Sequence, residues 1–214
     1  MLEKRMRKRE IIKLGGSLIE IGRDIIQVLR VYAEKNDITI LLIPGGGPFA
    51  EVVRTLSEDG SLTEAAAHWM AVFAMHQYGL FLANDELPVV ESLDGIEGHL
   101  CIIQPYQILK ADDCLPHTWD VTSDTIAAFV ANKLGEDTFI KLTDVNGLLD
   151  AGGRLIEEMR VEEMIEKGIR GCVDVALPDF LMQHNMSCII INGNFPDRVI
   201  DAIEGKETRC TKLF

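Results

Sequence analysis

The sequence predicts an α/β protein, a three-layer α/β/α sandwich with a mainly parallel central sheet. Two observations support this prediction: short apolar runs alternate with amphipathic stretches along the chain, and several apolar runs are hydrophobic at every position. The run at 38–43, ITILLI, has the composition of a parallel strand that is covered on both faces. The chain has 214 residues, 47% of them hydrophobic, so we predict a single domain over 1–214 with one large core.

The strands and helices follow from periodicity and from the residues that end each element. Strands are predicted at 10–14, 38–43, 87–90, 100–103, 138–142, 187–191 and 211–214, the last as an edge strand. Helices are predicted at 19–34, 49–56, 62–84, 125–134, 161–167, 174–184 and 197–203. Pro196 stands where a proline begins a helix. The helix at 62–84 is apolar on most sides, which predicts burial or packing against a second subunit, and hence a homo-oligomer.

The charge balance and the cysteine pattern exclude several classes of protein. With 34 acidic and 21 basic residues the net charge is −13, so a nucleic-acid-binding protein, which needs a basic face, is not expected. No apolar run reaches the roughly 18 residues of a membrane-spanning helix, so no membrane partner is predicted. The five cysteines lack the spacing of metal ligands, which indicates free thiols and a reducing, cytoplasmic location.

Two glycine turns form the first candidate site, because each lies between a predicted strand and a predicted helix. The first turn is KLGGS at 13–17, and the second is PGGGP at 44–48. Glycine lets backbone N–H groups approach a ligand closely, and the start of a helix attracts anions. Neither turn has the GxxxxGK[ST] or GxGxxG pattern, so each alone also fits a tight turn without a ligand. Together, and with Lys13 two residues before the first glycine, they predict a phosphate-binding site.

Four motifs, in this order, resemble the amino acid kinase superfamily. They are KxGGS at 13–17, PGGG at 44–47, TSD at 122–124 and TDVNGLLD at 143–150, and the similarity continues through the last helix. The stretches WDVTSD at 119–124, GCVD at 171–174 and the segment 192–212 are similar to the branch that acts in methanofuran biosynthesis, the [5-(aminomethyl)furan-3-yl]methyl phosphate kinases. The resemblance implies the α/β/α fold and an enzyme that uses ATP and Mg²⁺ to phosphorylate the phosphate of a small phosphomonoester.

The resemblance also implies roles for individual residues. Lys13 would bind the transferring phosphate, and Asp124 would orient the phosphate-binding lysines, although an aspartate here could also cap a helix. The residues implied on the ATP side are Gly15, Gly16, Ser17, Lys141, Thr143, Asp144, Gly147 and Asp150. The residues implied on the acceptor side are Gly45, Gly46, Gly47, Trp119, Asp120, Thr122 and Ser123. No protein metal ligand is assigned, because Mg²⁺ is expected on the phosphates of ATP.

Several of these side chains also fit a purely structural role. An ordinary turn or a helix cap would explain Thr122, Ser123, Asp144, Gly147 and Asp150. Trp119 could stack on a flat ring or cover the edge of the sheet. His68 and His76 lie eight residues apart on one helix and are expected in the core or at an interface, with substrate contact as the alternative.

Departures from the family pattern leave alternatives open. Many relatives carry GGMxxK, whose lysine binds ATP phosphates, whereas this chain has GCVDV at 171–175. The second cation could therefore be Lys141, Arg170 or Lys212. Several relatives also have a histidine where this chain has Pro44. A uridylate kinase, an isopentenyl phosphate kinase, or a non-catalytic anion-binding or storage protein of the same fold are the alternative functions.

Overall fold

The computed structural model describes residues 7–169 and 171–214, and an eight-stranded sheet forms the centre of this part. The strands are β1 (Arg9–Leu14), β2 (Thr39–Pro44), β3 (Val89–Val90), β4 (Leu100–Ile103), β5 (Thr138–Thr143), β6 (Glu158–Met159), β7 (Ser187–Asn192) and β8 (Cys210–Leu213). The helices are α1 (Gly22–Asn36), α2 (Gly47–Glu58), α3 (Glu64–Ala83), α4 (Tyr106–Ala111), α5 (Ser123–Lys133), α6 (Val161–Glu166), α7 (Leu177–His184) and α8 (Pro196–Ile203). The strand order is β3-β4-β2-β1-β5-β7-β8-β6, and neighbouring strands are parallel except β7 and β8.

The core lies on both faces of the sheet, which confirms the predicted three-layer α/β/α sandwich. On one face, Ile11 and Phe139 belong to a buried cluster with side chains of α5 and α7. On the other face, Ile12 and Ile140 belong to a second cluster with side chains of α1 and α8. All six residues of β2 are buried, as the apolar run at 38–43 predicts for a strand covered on both sides.

Two helices begin three residues later than predicted, and each has a local reason. A short 3₁₀ turn, Gly16–Leu18, follows the first glycine turn, so α1 begins at Gly22 rather than at position 19. α7 begins at Leu177 rather than at 174, which puts Pro178 in its first turn. A proline there costs no intrahelical hydrogen bond, because the first N–H groups of a helix have no partner within it.

The prediction of a C-terminal edge strand is wrong in one respect. β8 does form at the end of the chain, but it pairs with β7 on one side and with β6 on the other. The outer strand β6 has two residues, which is too few for hydrophobic alternation to reveal it in the sequence.

The order of the strands determines where a ligand can bind. β1 lies between β2 and β5, and the three strands are parallel, so their carboxyl ends share one edge of the sheet. In open α/β sheets, ligands bind at this edge where the direction of strand addition reverses. The two glycine turns and the loop after β5 all begin there.

No helix in the two described ranges is both long and apolar enough to cross a membrane.

α3 has an apolar surface that this chain covers only in part. The large exposed hydrophobic side chains of α3 are Met70, Phe73, Leu80 and Phe81. Such a stripe is compatible with the predicted subunit contact, which stays a prediction.

Candidate active site

The two glycine turns are in direct contact at the carboxyl edge of the sheet. A Cβ atom on Gly16 would lie 2.3 Å from the Cα and 2.5 Å from the N of Gly47, so no side chain fits between the turns. Gly47 also has a φ of +53°, a conformation that favours glycine. Glycine is therefore required at position 16 by the close approach of the two backbones, and it is favoured at position 47 by the positive φ.

The turns present fewer free amides than the sequence predicts. The N–H of Gly15 donates to the carbonyl of Leu142 at 2.9 Å, and the N–H of Gly45 donates to the carbonyl of Leu14 at 2.8 Å. These two glycines shape the turns, and their amides are not available to a phosphate. The amides of Gly16, Gly46 and Gly47 form no hydrogen bond within the described ranges, so these three can receive an anion. Ser17 is exposed beside them.

Gly16→Ala is expected to lower kcat/KM by about 10²-fold, because displacing a catalytic group by about 1 Å has effects of that size. The added Cβ has to push one turn away from the other, since the atoms it meets are backbone. Gly205→Ala is the control, because Gly205 has a φ of +70° but no atom within 4 Å of the added Cβ. Steady-state kinetics and thermal unfolding of both variants test the prediction, and unchanged kinetics of Gly16→Ala would contradict it.

Two lysines share one buried carboxylate directly behind the glycine turns. Lys13 of β1 and Lys141 of β5 are partners in the strand register, so their side chains leave the same face of the sheet. Asp124, the second residue of α5, lies between them: its Oδ1 is 2.8 Å from Lys13 Nζ, and its Oδ2 accepts a hydrogen bond from Lys141 Nζ. The three side chains are 8%, 5% and 5% exposed for Lys13, Lys141 and Asp124. We call them the lysine–aspartate cluster.

The electrostatics of the cluster favour an incoming anion. Burial opposes ionisation of Asp124, but the two ammonium groups outweigh it and lower its pKa from 3.8 to about 2. Burial also lowers the pKa of Lys13 below its ordinary value, despite the attraction of Asp124. For Lys141 the effect of burial is outweighed by the pairing with Asp124, and its pKa is raised. One carboxylate is thus shared by two cations, and an anion between them would supply the missing negative charge.

Asp174 is part of the same network, although no role was predicted for it. Its backbone N–H donates to Asp124 Oδ2 at 3.1 Å, and its carboxylate accepts hydrogen bonds from Thr122, Thr125 and Leu177. The signal in the sequence is the GCVD motif at 171–174.

A cavity of about 550 Å³ opens beside the glycine turns, between α2, α3 and the start of α5. Its apolar walls are formed by Ala71, Val72, Met75, Val121 and Ile126. Gly16, Ser17, Gly46 and Gly47 line the end nearest the turns, and Glu20, Glu51 and Arg54 also line the cavity. We call it the acceptor cavity. Glu20 and Arg54 belong to no motif, so they cannot be predicted from the sequence.

The residues predicted on the acceptor side divide into two groups. Trp119, Thr122 and Ser123 line the cavity, and Trp119 is fixed by a hydrogen bond from its Nε1 to Ser57 Oγ at 2.9 Å. The hydroxyl and N–H of Thr122 already donate to Asp174, whereas Ser123 Oγ has no partner in the described ranges. Asp120 is exposed and does not line the cavity, so the structure does not support a role for it in placing the acceptor.

The loop predicted on the ATP side has mostly structural contacts. Asp150 accepts hydrogen bonds from the N–H of Gly152, from the N–H of Arg154 and from its Nε, so it stabilises its own turn. Gly147, with a φ of +143°, packs against Thr211, whose Oγ1 would lie 2.2 Å from an added Cβ. The contacts of Asp150 and Gly147 are therefore those of a structural turn, which is the alternative to a role in binding ATP.

Thr143 and Asp144 remain at the carboxyl end of β5. Thr143 Oγ1 donates to Asp144 Oδ1 at 3.2 Å, and the Asp144 side chain is exposed at the edge that carries the glycine turns. No group of three or more His, Cys, Asp or Glu side chains that could hold a metal ion is found within 7–169 and 171–214.

The second cation is located by geometry for two of the three candidates. Lys141 lies on Asp124, whereas Lys212 is half exposed on β8 and pairs with Glu158 at 3.8 Å. Arg170 lies outside the described residues. Of the candidates within the described ranges, Lys141 is the one that shares the Asp124 carboxylate with Lys13.

The two histidines of α3 are both partly enclosed, as predicted. His68 lines the acceptor cavity and stacks on His117 at 4.8 Å, and burial lowers its pKa to about 4, with His117 contributing. His76 Nε2 accepts a hydrogen bond from the N–H of Tyr106 at 3.0 Å, and burial lowers its pKa. Both rings are therefore neutral at pH 7, and His68 is the one that a ligand in the cavity could touch.

The chain is similar to known kinases over most of its length. Residues 8–192 match the model of the amino acid kinase family. The chain is 32% identical over 213 residues, 95% of its length, to the [5-(aminomethyl)furan-3-yl]methyl phosphate kinase of Methanocaldococcus jannaschii, of which 96% is covered. It is 27% identical to the acetylglutamate kinase of Yersinia pestis, over 74% of this chain and 79% of that enzyme.

Solved structures show the same fold at low sequence identity. The uridylate kinase of Archaeoglobus fulgidus superposes with a TM-score of 0.70 at 17% identity, over 96% of this chain and all of that one. The UMP kinase of Ureaplasma parvum has a TM-score of 0.70 at 15% identity, over 97% of this chain and 99% of that one.

Buried lysines on a shared carboxylate, free glycine amides and an adjoining cavity define a phosphoryl-transfer enzyme, and the relatives are kinases. The chain belongs to the amino acid kinase family.

Proposed function

We propose that the protein is an ATP-dependent kinase that phosphorylates the phosphate of a small phosphomonoester carrying a flat ring and an ammonium group. The acceptor that fits best is [5-(aminomethyl)furan-3-yl]methyl phosphate, which gives the diphosphate. One observation carries the proposal: the free amides of the touching glycine turns and Ser123 line an apolar cavity, and the lysine–aspartate cluster lies next to them along the chain, since Lys13 begins the first turn and Asp124 follows Ser123. The cavity lining also includes Glu20, whose carboxylate forms no ion pair with any described residue. The 32% identity to an enzyme named for this reaction supports it.

In this proposal the chain acts by positioning and by neutralising charge, as phosphoryl transfer requires. Lys13 and Lys141 would bind the oxygens of the transferring phosphoryl group, and the amides of Gly16, Gly46 and Gly47 would bind further phosphate oxygens. Asp124 would keep both ammonium groups in place without taking a proton, because its pKa of about 2 leaves it ionised at pH 7. Donors already aligned on developing charge are each worth about 3 kcal/mol of transition-state stabilisation.

The residues present fit ATP and Mg²⁺ as the donor pair. Asp124 Oδ1 accepts no hydrogen bond in the described ranges, so Lys13, its ion-pair partner, has donor capacity left for a phosphate. ATP supplies the phosphoryl group when bound, and Mg²⁺ supplies counter-charge. We propose that Mg²⁺ is held mainly by phosphates and water, with Asp144 as the nearest exposed carboxylate after β5.

The charges in the acceptor cavity favour a cationic acceptor over UMP or isopentenyl phosphate. Arg54 pairs with Glu51 at 3.5 Å, and its guanidinium lies 4.8 Å from the ring centre of Trp119. Glu20 is exposed and forms no ion pair with any described residue. The lining of the cavity therefore carries one uncompensated negative charge, to which we assign the aminomethyl group of the acceptor.

Turnover on a substrate panel tests this function. Purified protein with ATP and Mg²⁺ is offered [5-(aminomethyl)furan-3-yl]methyl phosphate, its analogue with methyl in place of aminomethyl, UMP, and isopentenyl phosphate, and ADP release is followed. We expect turnover of the first compound, with kcat/KM about 5-fold above the methyl analogue, since an exposed ion pair is worth up to about 1 kcal/mol. Glu20→Gln should abolish this preference and leave the methyl analogue unaffected.

Other outcomes would identify the alternatives. Turnover of UMP alone would show a uridylate kinase, and turnover of isopentenyl phosphate alone would show an isoprenoid kinase. Anion or nucleotide binding without any turnover would show a non-catalytic protein. We further propose a homo-oligomer that buries the apolar stripe of α3, and a cytoplasmic protein, which agrees with the five cysteines being unpaired.

A further inference from the structure

The Asp174 carboxylate is held by five donors, all from the segments that begin α5 and α7. Its Oδ2 accepts from the N–H and hydroxyl of Thr122, both at 2.9 Å, and from the N–H of Thr125 at 3.0 Å. Its Oδ1 accepts from the hydroxyl of Thr125 at 2.6 Å and from the N–H of Leu177 at 3.0 Å. Both oxygens are thus saturated by donors.

These contacts replace the missing cap of α5. Thr122 is the N-cap residue of α5, but its own side chain makes no capping hydrogen bond. The free N–H groups of a helix start need an acceptor, and here Asp174, about 50 residues away in sequence, provides it. The segment around Asp174 is fixed in turn by the N–H of Ala176, which donates to the carbonyl of Asp120 at 2.9 Å.

Asp174 also reaches the charged centre of the site. Its backbone N–H donates to the same Asp124 oxygen, Oδ2, that receives Lys141. A shift of Asp174 therefore moves the start of α5 and changes the direction of the Asp124 carboxylate at the same time. Its negative charge also acts on Lys13, whose pKa it raises against the larger lowering by burial.

We propose that Asp174 is a positioning residue for phosphoryl transfer: it holds the turn at 122–125 so that Asp124 faces Lys13 and Lys141 while Ser123 faces the acceptor cavity. Asp174 does not line the acceptor cavity and its carboxylate is held by five donors of the protein, so it acts on the reaction through Asp124. This inference rests on the proposed kinase function.

Asp174→Asn tests the proposal, because the amide group would turn an N–H toward N–H and O–H donors. We expect kcat to fall about 10²-fold with KM for ATP and for the acceptor changed less than 3-fold, since misplacing Asp124 affects the transition state more than binding. Thr125→Val, which removes only the 2.6 Å hydrogen bond, is the milder variant and should lower kcat to an intermediate value. It keeps the test available if Asp174→Asn does not fold.

Two controls separate positioning from stability. Asp59→Asn changes an exposed capping aspartate whose Oδ1 accepts only from the N–H of Ser61. Met164→Ala removes a buried side chain of α6 and destabilises the fold without touching the cluster. Both should retain kcat below their melting temperatures. If Met164→Ala with an equal loss of Tm loses as much kcat as Asp174→Asn, the role of Asp174 is structural only.

A readout without turnover separates this inference from the proposed function. The ¹³Cε signal of Lys13, followed through a pH titration, should show a lower pKa in Asp174→Asn than in the wild type, and no change in Met164→Ala. An unchanged Lys13 pKa would overturn the inference even if the enzyme is a kinase. A lowered pKa in a protein that turns over no phosphomonoester would support the coupling and reject the proposed function.

Discussion

Lys13→Met is expected to lower kcat by about 10³-fold while leaving the fold intact, because one aligned cation on a transferring phosphoryl group is worth that much. Methionine keeps the length of the stem and removes the charge. Since burial lowers the pKa of Lys13, carrying its charge costs folding free energy, and the variant should be no less stable than the wild type. Steady-state kinetics and urea unfolding measure the two effects.

The control for Lys13→Met is the removal of an exposed lysine. Lys35 lies at the end of α1 and is exposed, so Lys35→Met should retain wild-type kinetics. A kcat of Lys13→Met within 10-fold of the wild type would refute the role of Lys13 in phosphoryl transfer.

Asp124→Asn should lose both activity and stability. The change leaves two buried ammonium groups without their carboxylate, and breaking a buried ion pair costs about 3–5 kcal/mol. We expect kcat to fall by at least about 10²-fold, since the lysines lose the group that holds them. The contrast with Lys13→Met is informative, because that variant should lose activity alone.

The stability effect of Asp124→Asn should depend on pH in a defined direction. The folded protein holds the pKa of Asp124 at about 2, below its ordinary value of 3.8. The contribution of this carboxylate to the free energy of unfolding is therefore present above about pH 4 and is lost as the pH falls toward 2. The difference in unfolding free energy between wild type and variant should shrink over that interval. A difference that stays constant down to pH 2 would contradict the assigned ion pair.

Much of the fold could be predicted because each local signal agrees with the sheet that forms. The run at 38–43 is apolar at every position and becomes the fully buried β2, and the glycine turns become the junctions after β1 and β2. Lys13 and Asp124 were identified by motif, and the structure places them 2.8 Å apart. The contact joins a strand and a helix that are about 110 residues apart in the sequence. No local pattern predicts such a contact, so its prediction depends on the family motifs.

The remaining features depend on register and on long-range contacts, which composition and periodicity do not encode. Lys141 becomes the partner of Lys13 only because β1 and β5 pair in one particular register. The hydrogen bond from the Gly15 N–H to the Leu142 carbonyl also depends on this register, because Leu142 lies on the neighbouring strand β5. The sequence does not decide whether Asp150 belongs to a turn or to a nucleotide site, because both use the same residue types. The hydrogen bonds that Asp150 accepts from the N–H groups of Gly152 and Arg154 indicate the turn.

The contact between the two glycine turns has a consequence for how such enzymes diverge. The walls of the acceptor cavity come from α2, α3, the segment before α5 and Ile126 of α5, whereas the lysine–aspartate cluster comes from β1, β5 and Asp124 of α5. The two parts meet where Gly16 touches Gly47, a junction that tolerates no side chain. Substitutions in the walls that α2 and α3 provide can therefore alter which compound is accepted without disturbing the charged cluster, whereas substitutions at the start of α5 act on both parts. Relatives with one fold and differently named acceptors are the outcome expected from this modular construction.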